Sequence, residues 1–239
     1  PLYDTRTTDV GAAFVFHGGP AFGGNVPATF ADGVLVCDQP SSAFGASVAS
    51  AGDVNRDGYS DVIVGASRSD AGGTDSGAAY AFSGSPGGVL GFGAATAAWP
   101  LVLAQAGANF GVSVSGAGDT NGDGYSDVIV GADLYDNGQL NEGGAFVYVG
   151  GPAGLGALPA WRAEGELSNT WLGHSVATAW SVNCDRYTDI IVGAPQGTGK
   201  ISAHFREGWV AVWLGGPPAF SGDSGLGANG TPTNADWFA

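Results

Sequence analysis

Asp53, Asn55, Asp57 and Asp61 stand at positions 1, 3, 5 and 9 of one glycine-containing stretch, and Asp119, Asn121, Asp123 and Asp127 repeat the pattern. Alternate residues of a tight loop turn their oxygens inward. Gly58 and Gly124, directly after position 5, allow a backbone conformation that residues with a β-carbon avoid. The main-chain carbonyls of Tyr59 and Tyr125, at position 7, add a further hard oxygen to each set. Such all-oxygen sets suit Ca²⁺ and fit neither zinc nor copper. The pattern opens like an EF-hand loop. It closes with Asp at position 9 rather than Glu at 12, and strand-like sequence flanks it, so a calcium loop in a β-hairpin is expected. The competing reading is a solvated Asp/Asn/Gly turn without an ion. A third copy carries Ser181, Asn183, Asp185, Tyr187 and Asp189, with Arg186 in place of the glycine. One carboxylate fewer and a guanidinium nearby weaken that site, and a metal-free turn is the expectation there.

Other chemistry finds little support. The three histidines, His17, His174 and His204, lie in different segments, with no Ser/His/Asp set and no Gly-x-Ser-x-Gly elbow. His174 reads as a repeat variation, because Ala46 and Val112 hold the matching positions. Cys37 and Cys184 are the two cysteines; they either pair or sit apart as small unpaired residues. A segment that breaks the repeat, 196–206, gathers Lys200, His204 and Arg206 and is a candidate ligand loop.

The calcium pattern must be positioned by something, and the chain repeats itself. GDVNRDGYSDVIVGA at 52–66, GDTNGDGYSDVIVGA at 118–132 and WSVNCDRYTDIIVGA at 180–194 lie 66 and 62 residues apart. Phe44-Gly45, Phe110-Gly111 and Leu172-Gly173 precede small-residue strands, and glycine-led aromatic strands follow each acidic loop. A period of that length with four strand signals per unit predicts an all-β propeller of four-stranded antiparallel blades. In the first full unit the strands fall at 47–50, 61–65, 77–83 and 98–105. Small residues suit the crowded centre, and aromatics on the third and fourth strands suit the wider space between blades. The expected division is one propeller region, 1–239. It holds a partial leading blade at 1–43, repeats at 44–109 and 110–171, and a degenerate repeat with a Gly/Ser/Pro-rich tail at 172–239. About 3.5–4 blades do not obviously close a ring, so further blades from another chain or from more sequence are expected.

Composition agrees. The net charge is −15 and no basic stripe exists, which argues against nucleic acid and anionic membranes as partners. No apolar run approaches the roughly 20 residues that span a bilayer. The chain has no methionine and 44 glycines without a collagen period.

Phe-Gly, then Asp-x-Asn-x-Asp-Gly-x-x-Asp, then Gly-Ala or the Gly193-Ala194-Pro195 triplet together resemble the FG-GAP repeat of integrin α-subunit propellers, bacterial surface proteins and fungal propeller lectins. The resemblance implies a propeller, commonly seven-bladed, with Ca²⁺ between the first two strands of a blade. It implies an extracellular or cell-surface protein that binds a protein or glycan and is not an enzyme. A lectin-like variant would stack sugars between blades, with Trp99, Trp161 and Trp171 as candidates. A non-catalytic module of a larger secreted enzyme is the third reading.

Overall fold

A computed structural model describes residues 10–18, 27–91, 93–197, 207–218 and 224–238. Strands β1 (Ala12–Val15) and β2 (Gly33–Val36) form an antiparallel pair. Three four-stranded antiparallel sheets follow, each an up-and-down meander. The first comprises β3 (Phe44–Gly52), β4 (Asp61–Ala66), β5 (Ala78–Phe82) and β6 (Trp99–Val102). The second comprises β7 (Ser113–Gly118), β8 (Asp127–Ala132), β9 (Gly144–Tyr148) and β10 (Trp161–Glu164). The third comprises β11 (Ser175–Trp180), β12 (Asp189–Ala194), β13 (Trp209–Trp213) and the two-residue β14 (Trp237–Phe238). The only helical pieces among the described residues are two short 3₁₀ turns, and no helix there is long and apolar enough to cross a membrane.

Period-two patterning explains how the sheets stack. On β8, Val128, Val130 and Ala132 face the first sheet, whereas Ile129 faces the third. On β9, Phe146 and Tyr148 point back while Ala145 and Val147 point forward. The three hydrophobic clusters are therefore the spaces between successive sheets. The first lies between the leading pair and the first sheet, where Leu35 meets Phe44, Tyr80 and Phe82. Between the second and third sheets Trp161 packs edge-on against Trp213, beside Ala145, Val147 and Ala211. The innermost strands β3, β7 and β11 lie side by side, and the sheets do not close a ring among the described residues.

Some details differ from the sequence expectation. The first strand is longer, Phe44–Gly52, because its Phe-Gly start pairs with Ala66 through a bulge. The fourth strand is shorter, Trp99–Val102. Phe30 ends a 3₁₀ turn before β2 and is exposed.

Backbone approach between sheets is as tight as side-chain packing. Gly77 (φ 81°) bridges Phe110 of the following sheet, and a β-carbon there would lie 2.1 Å from the Phe110 carbonyl oxygen. Gly11 with Phe44 and Gly143 with Leu172 repeat that bridge. Gly107 shares the left-handed conformation (φ 76°) but has open space where a β-carbon would stand. Gly107→Ala is thus expected to cost about 1 kcal/mol, from backbone strain alone. Gly77→Ala should cost clearly more, about 2–3 kcal/mol, because a neighbouring main chain must also move. Urea midpoints of the two variants check this; equal shifts would refute the close-approach argument.

Candidate metal loops and their surroundings

Each acidic loop joins the first two strands of a sheet and is organised by its own side chains. In the first loop, Asp53 accepts the N–H groups of Asp57 and Gly58 on its two oxygens at 3.0 and 2.9 Å. The Asn55 Oδ1 accepts the Asp57 N–H, and Asp57 Oδ1 accepts the Tyr59 N–H. Gly58 (φ 92°) supplies the left-handed turn that aims its N–H back at position 1. The second loop repeats this: Asp119 accepts from Gly122, Asp123 and Gly124, Asn121 from Asp123, and Asp123 from Tyr125. Six side chains are thereby held in two equivalent arrangements.

The position-9 acids act differently. Asp61, Asp127 and Asp189 are fully buried. Asp61 accepts the Val54 N–H on one oxygen and the Gly84 N–H on the other, both within 2.9 Å. Asp127 does so with Thr120 and Gly150, and Asp189 with Val182 and Gly215. Each acid therefore ties its loop to the end of the third strand of its own sheet. Burial pushes the Asp127 carboxyl up to about 7, opposed by its hydrogen bonds from the Thr120 side chain and the Gly150 and Thr120 main chain. Burial also raises Asp61, against the hydrogen bonds from Gly84 and Val54.

The loops also join neighbouring sheets. The Asp53 carbonyl accepts the Ser126 N–H and the Val54 carbonyl accepts the Gly151 N–H. One sheet further on, Asp119 accepts from Thr188 and Thr120 from Gly216. Arg56 lies over the Tyr125 ring at 6.0 Å.

The donor chemistry fits a hard cation. Both loops present only carboxylate, amide and carbonyl oxygens. Among the described residues no three His, Cys, Asp or Glu side chains converge to hold an ion. An ion here would therefore need the Asn55 or Asn121 amide and the Tyr59 or Tyr125 carbonyl beside the acids. The third loop is built otherwise. Ser181 donates its hydroxyl to Asn183 and to the Asp185 carbonyl instead of accepting N–H groups. Arg186 does not take the left-handed turn of Gly58 and Gly124. Asn183, Asp185 and Tyr187 keep their local bonds and Asp189 its anchor.

The other sequence candidates are scattered. Trp161 is 1 % exposed, stands edge-on to Trp213 and donates to the Ala228 carbonyl, so it offers no ring face to a sugar. Trp99 donates to the Ala153 carbonyl, and Trp171 lies 6.3 Å from the His174 ring. Lys200, His204 and Arg206 lie outside the described residues. Cys37 is buried and Cys184 exposed, both as free thiols. One pairing was missed in the sequence. His174 Nδ1 meets Asp133 Oδ2 at 2.8 Å across the second and third sheets, and Asn109 binds the other Asp133 oxygen. Both positions depart from their sister repeats, which hold Ala46 and Val112 against His174, and Ser67 and Pro195 against Asp133. That joint departure was the available signal.

Comparison with known proteins adds a family. The FG-GAP repeat model matches residues 44–82 and 110–149. The chain is 31 % identical to human integrin alpha-6 over 160 residues, 64 % of this chain and 13 % of the relative. It is 32 % identical to integrin alpha-PS3 of Drosophila melanogaster over 166 residues, 66 % of this chain and 14 % of that protein. Against human integrin alpha-7 the identity is 33 % over 167 residues, covering 67 % and 13 %. The chain thus spans about one seventh of the length of these relatives.

The anchoring acids give a test separate from any ion. Asp189→Ala removes the acceptor of two buried N–H groups in the loop built unlike the other two, and should cost about 2–4 kcal/mol of stability. Urea denaturation with and without calcium should show the same loss. An unchanged midpoint would refute the anchor.

Proposed function

We propose, for a chain that carries FG-GAP repeats and is similar to integrin α-subunits, a calcium-stabilised section of an extracellular β-propeller that serves in binding or adhesion. Binding rather than catalysis suits a chain whose sequence offers no nucleophile with a base and whose relatives are integrin α-subunits. We divide it into a partial leading blade at 1–43, repeats at 44–109 and 110–171, and a degenerate repeat at 172–239. Further blades and a protein or glycan ligand are its proposed partners.

One observation carries the calcium part. Two loops, 66 residues apart, aim the same set of hard oxygens with the same internal hydrogen bonds. Asp53, Asn55, Asp57, Asp61 and the Tyr59 carbonyl would hold one ion. Asp119, Asn121, Asp123, Asp127 and the Tyr125 carbonyl would hold the other. The ion would supply the positive charge that these closely spaced acids lack. The third loop, with Ser181 as a donor, is proposed to stay metal-free.

Saturating calcium should stabilise the chain. At a hundredfold excess over the dissociation constant, one site contributes about 2.7 kcal/mol, or about 5–10 °C in melting temperature. Asp53→Ala and Asp119→Ala should each remove part of that gain, and Asp185→Ala none of it. A melt insensitive to calcium and chelator would end the calcium reading. The adhesion reading is checked separately, by binding of the immobilised chain to a panel of extracellular matrix proteins; no binding to any of them would count against it.

A further inference from the structure

Three Asn-Gly pairs occur in the chain: Asn121-Gly122, Asn137-Gly138 and Asn229-Gly230. Asparagine is thermolabile. It is most so before glycine, whose main-chain nitrogen can reach the side-chain amide with no β-carbon in the way. Whether such a pair reacts in a folded protein depends on whether that nitrogen is free. Gly122 donates its N–H to Asp119 Oδ1 at 2.6 Å. Gly230 is buried, bridges Ala163 and donates its N–H to the Arg162 carbonyl at 2.8 Å. The Gly138 N–H has no acceptor among the described residues. Asn137 and Gly138 are both exposed, and a β-carbon built on Gly138 (φ 112°) would meet nothing within 4 Å. One exposed bond holds the Asn137 side chain, its Nδ2 donating to Glu164 Oε2 at 2.6 Å.

This free pair sits in the connection from β8 to β9, at the end of the sheet opposite the acidic loop. The connection is built around Glu142, whose buried carboxylate accepts the N–H groups of Asn137 and Gln139 on one oxygen. The same turn is a seam between two complete sheets. The carbonyls of Leu140, Asn141 and Glu142 accept the N–H groups of Asn169, Trp171 and Leu172, which lead into the third sheet. The Asn141 amide also donates to Asn169 at 3.1 Å. Asn137 ties this seam to β10 through Glu164, whose other oxygen Arg162 holds at 2.9 Å.

We propose that Asn137 is a site of spontaneous conversion to aspartate and isoaspartate, and that the change loosens the joint between the second and third sheets. The Gly138 nitrogen attacks Cγ of Asn137. A bond forms between them, the bond from Cγ to Nδ2 breaks, and ammonia leaves with the Gly138 proton. Water then opens the cyclic imide at one or the other carbonyl, so the net change is uptake of water and release of ammonia. Aspartate at 137 sets a carboxylate beside Glu164 where a donor stood, which replaces a hydrogen bond by repulsion. Isoaspartate lengthens the main chain before Gly138 and draws the Asn137 and Gln139 N–H groups out of register with the buried Glu142 carboxylate, whose loss of donors is costly. At Asn121 and Asn229 the glycine N–H must first be released, which slows the reaction about tenfold. The proposal depends neither on the calcium ions nor on a ligand.

The test uses the full chain, incubated in mildly alkaline buffer with calcium and, separately, with chelator. Peptide mapping by mass spectrometry follows each Asn-Gly pair through the mass gain of amide-to-acid conversion, and the chain unfolded in urea sets the rate of an unheld pair. In the folded chain Asn137 should convert near that rate, with Asn121 and Asn229 about tenfold behind in both buffers. Asn137→Asp carries the product charge from the start. Limited proteolysis within 136–141 should be about tenfold faster in it than in the unmodified chain, because cleavage follows the population of the opened loop. Conversion of Asn121 or Asn229 as fast as Asn137, or no conversion of Asn137 in the folded chain while the unfolded chain reacts, would overturn the site. Equal cleavage of Asn137→Asp and the unmodified chain would overturn the loosening.

Discussion

A four-stranded sheet with two apolar faces cannot stand alone in water, and everything else in this molecule follows from covering both faces. Side chains alternate along β8 and β9, so each strand contributes to two clusters at once. On β9 the rings of Phe146 and Tyr148 point back and Ala145 and Val147 point forward. Burial of this kind is worth about 25 cal/mol per Å² of apolar surface, and it is collected at three separate spaces instead of in one central core.

Close stacking brings main chain against main chain, and that second constraint sets where glycine must stand. Gly77 and Gly143 meet the backbone of Phe110 and Leu172 directly. The hydrogen bonds of the acidic loops serve the same end. The carbonyls of Asp53 and Val54 accept from the next sheet, so a loop that reads as an isolated acidic turn is also a seam between blades. Ordering that loop, whether by its own N–H groups or by a cation, steadies two sheets together.

The position-9 acids show how a single residue type carries different duties in one motif. By spacing they belong to the ligand set. In the fold they are buried, with both oxygens engaged by main-chain N–H groups of two different segments. Asp189 keeps this duty in a loop whose first position has become Ser181. The pattern outlasts the acid at position 1 because the anchor belongs to the sheet, whereas the position-1 acid belongs to the loop.

Much of this was written in the chain itself. The spacing of Asp, Asn and Gly, repeated at a constant offset, is local and periodic, and local periodic signals survive without knowledge of distant partners. They determined the strand order, the blade unit and the oxygen-rich loops. What they left open depends on residues far apart in sequence. Trp161 reads as a candidate for stacking a sugar between blades until Trp213 and the Ala228 carbonyl close over it. His174 reads as a tolerated variation until Asp133 stands 41 residues away at hydrogen-bond distance. Periodicity fixes which elements form, but only packing between sheets decides which side chain a given position meets, because that depends on the next repeat and not on its own.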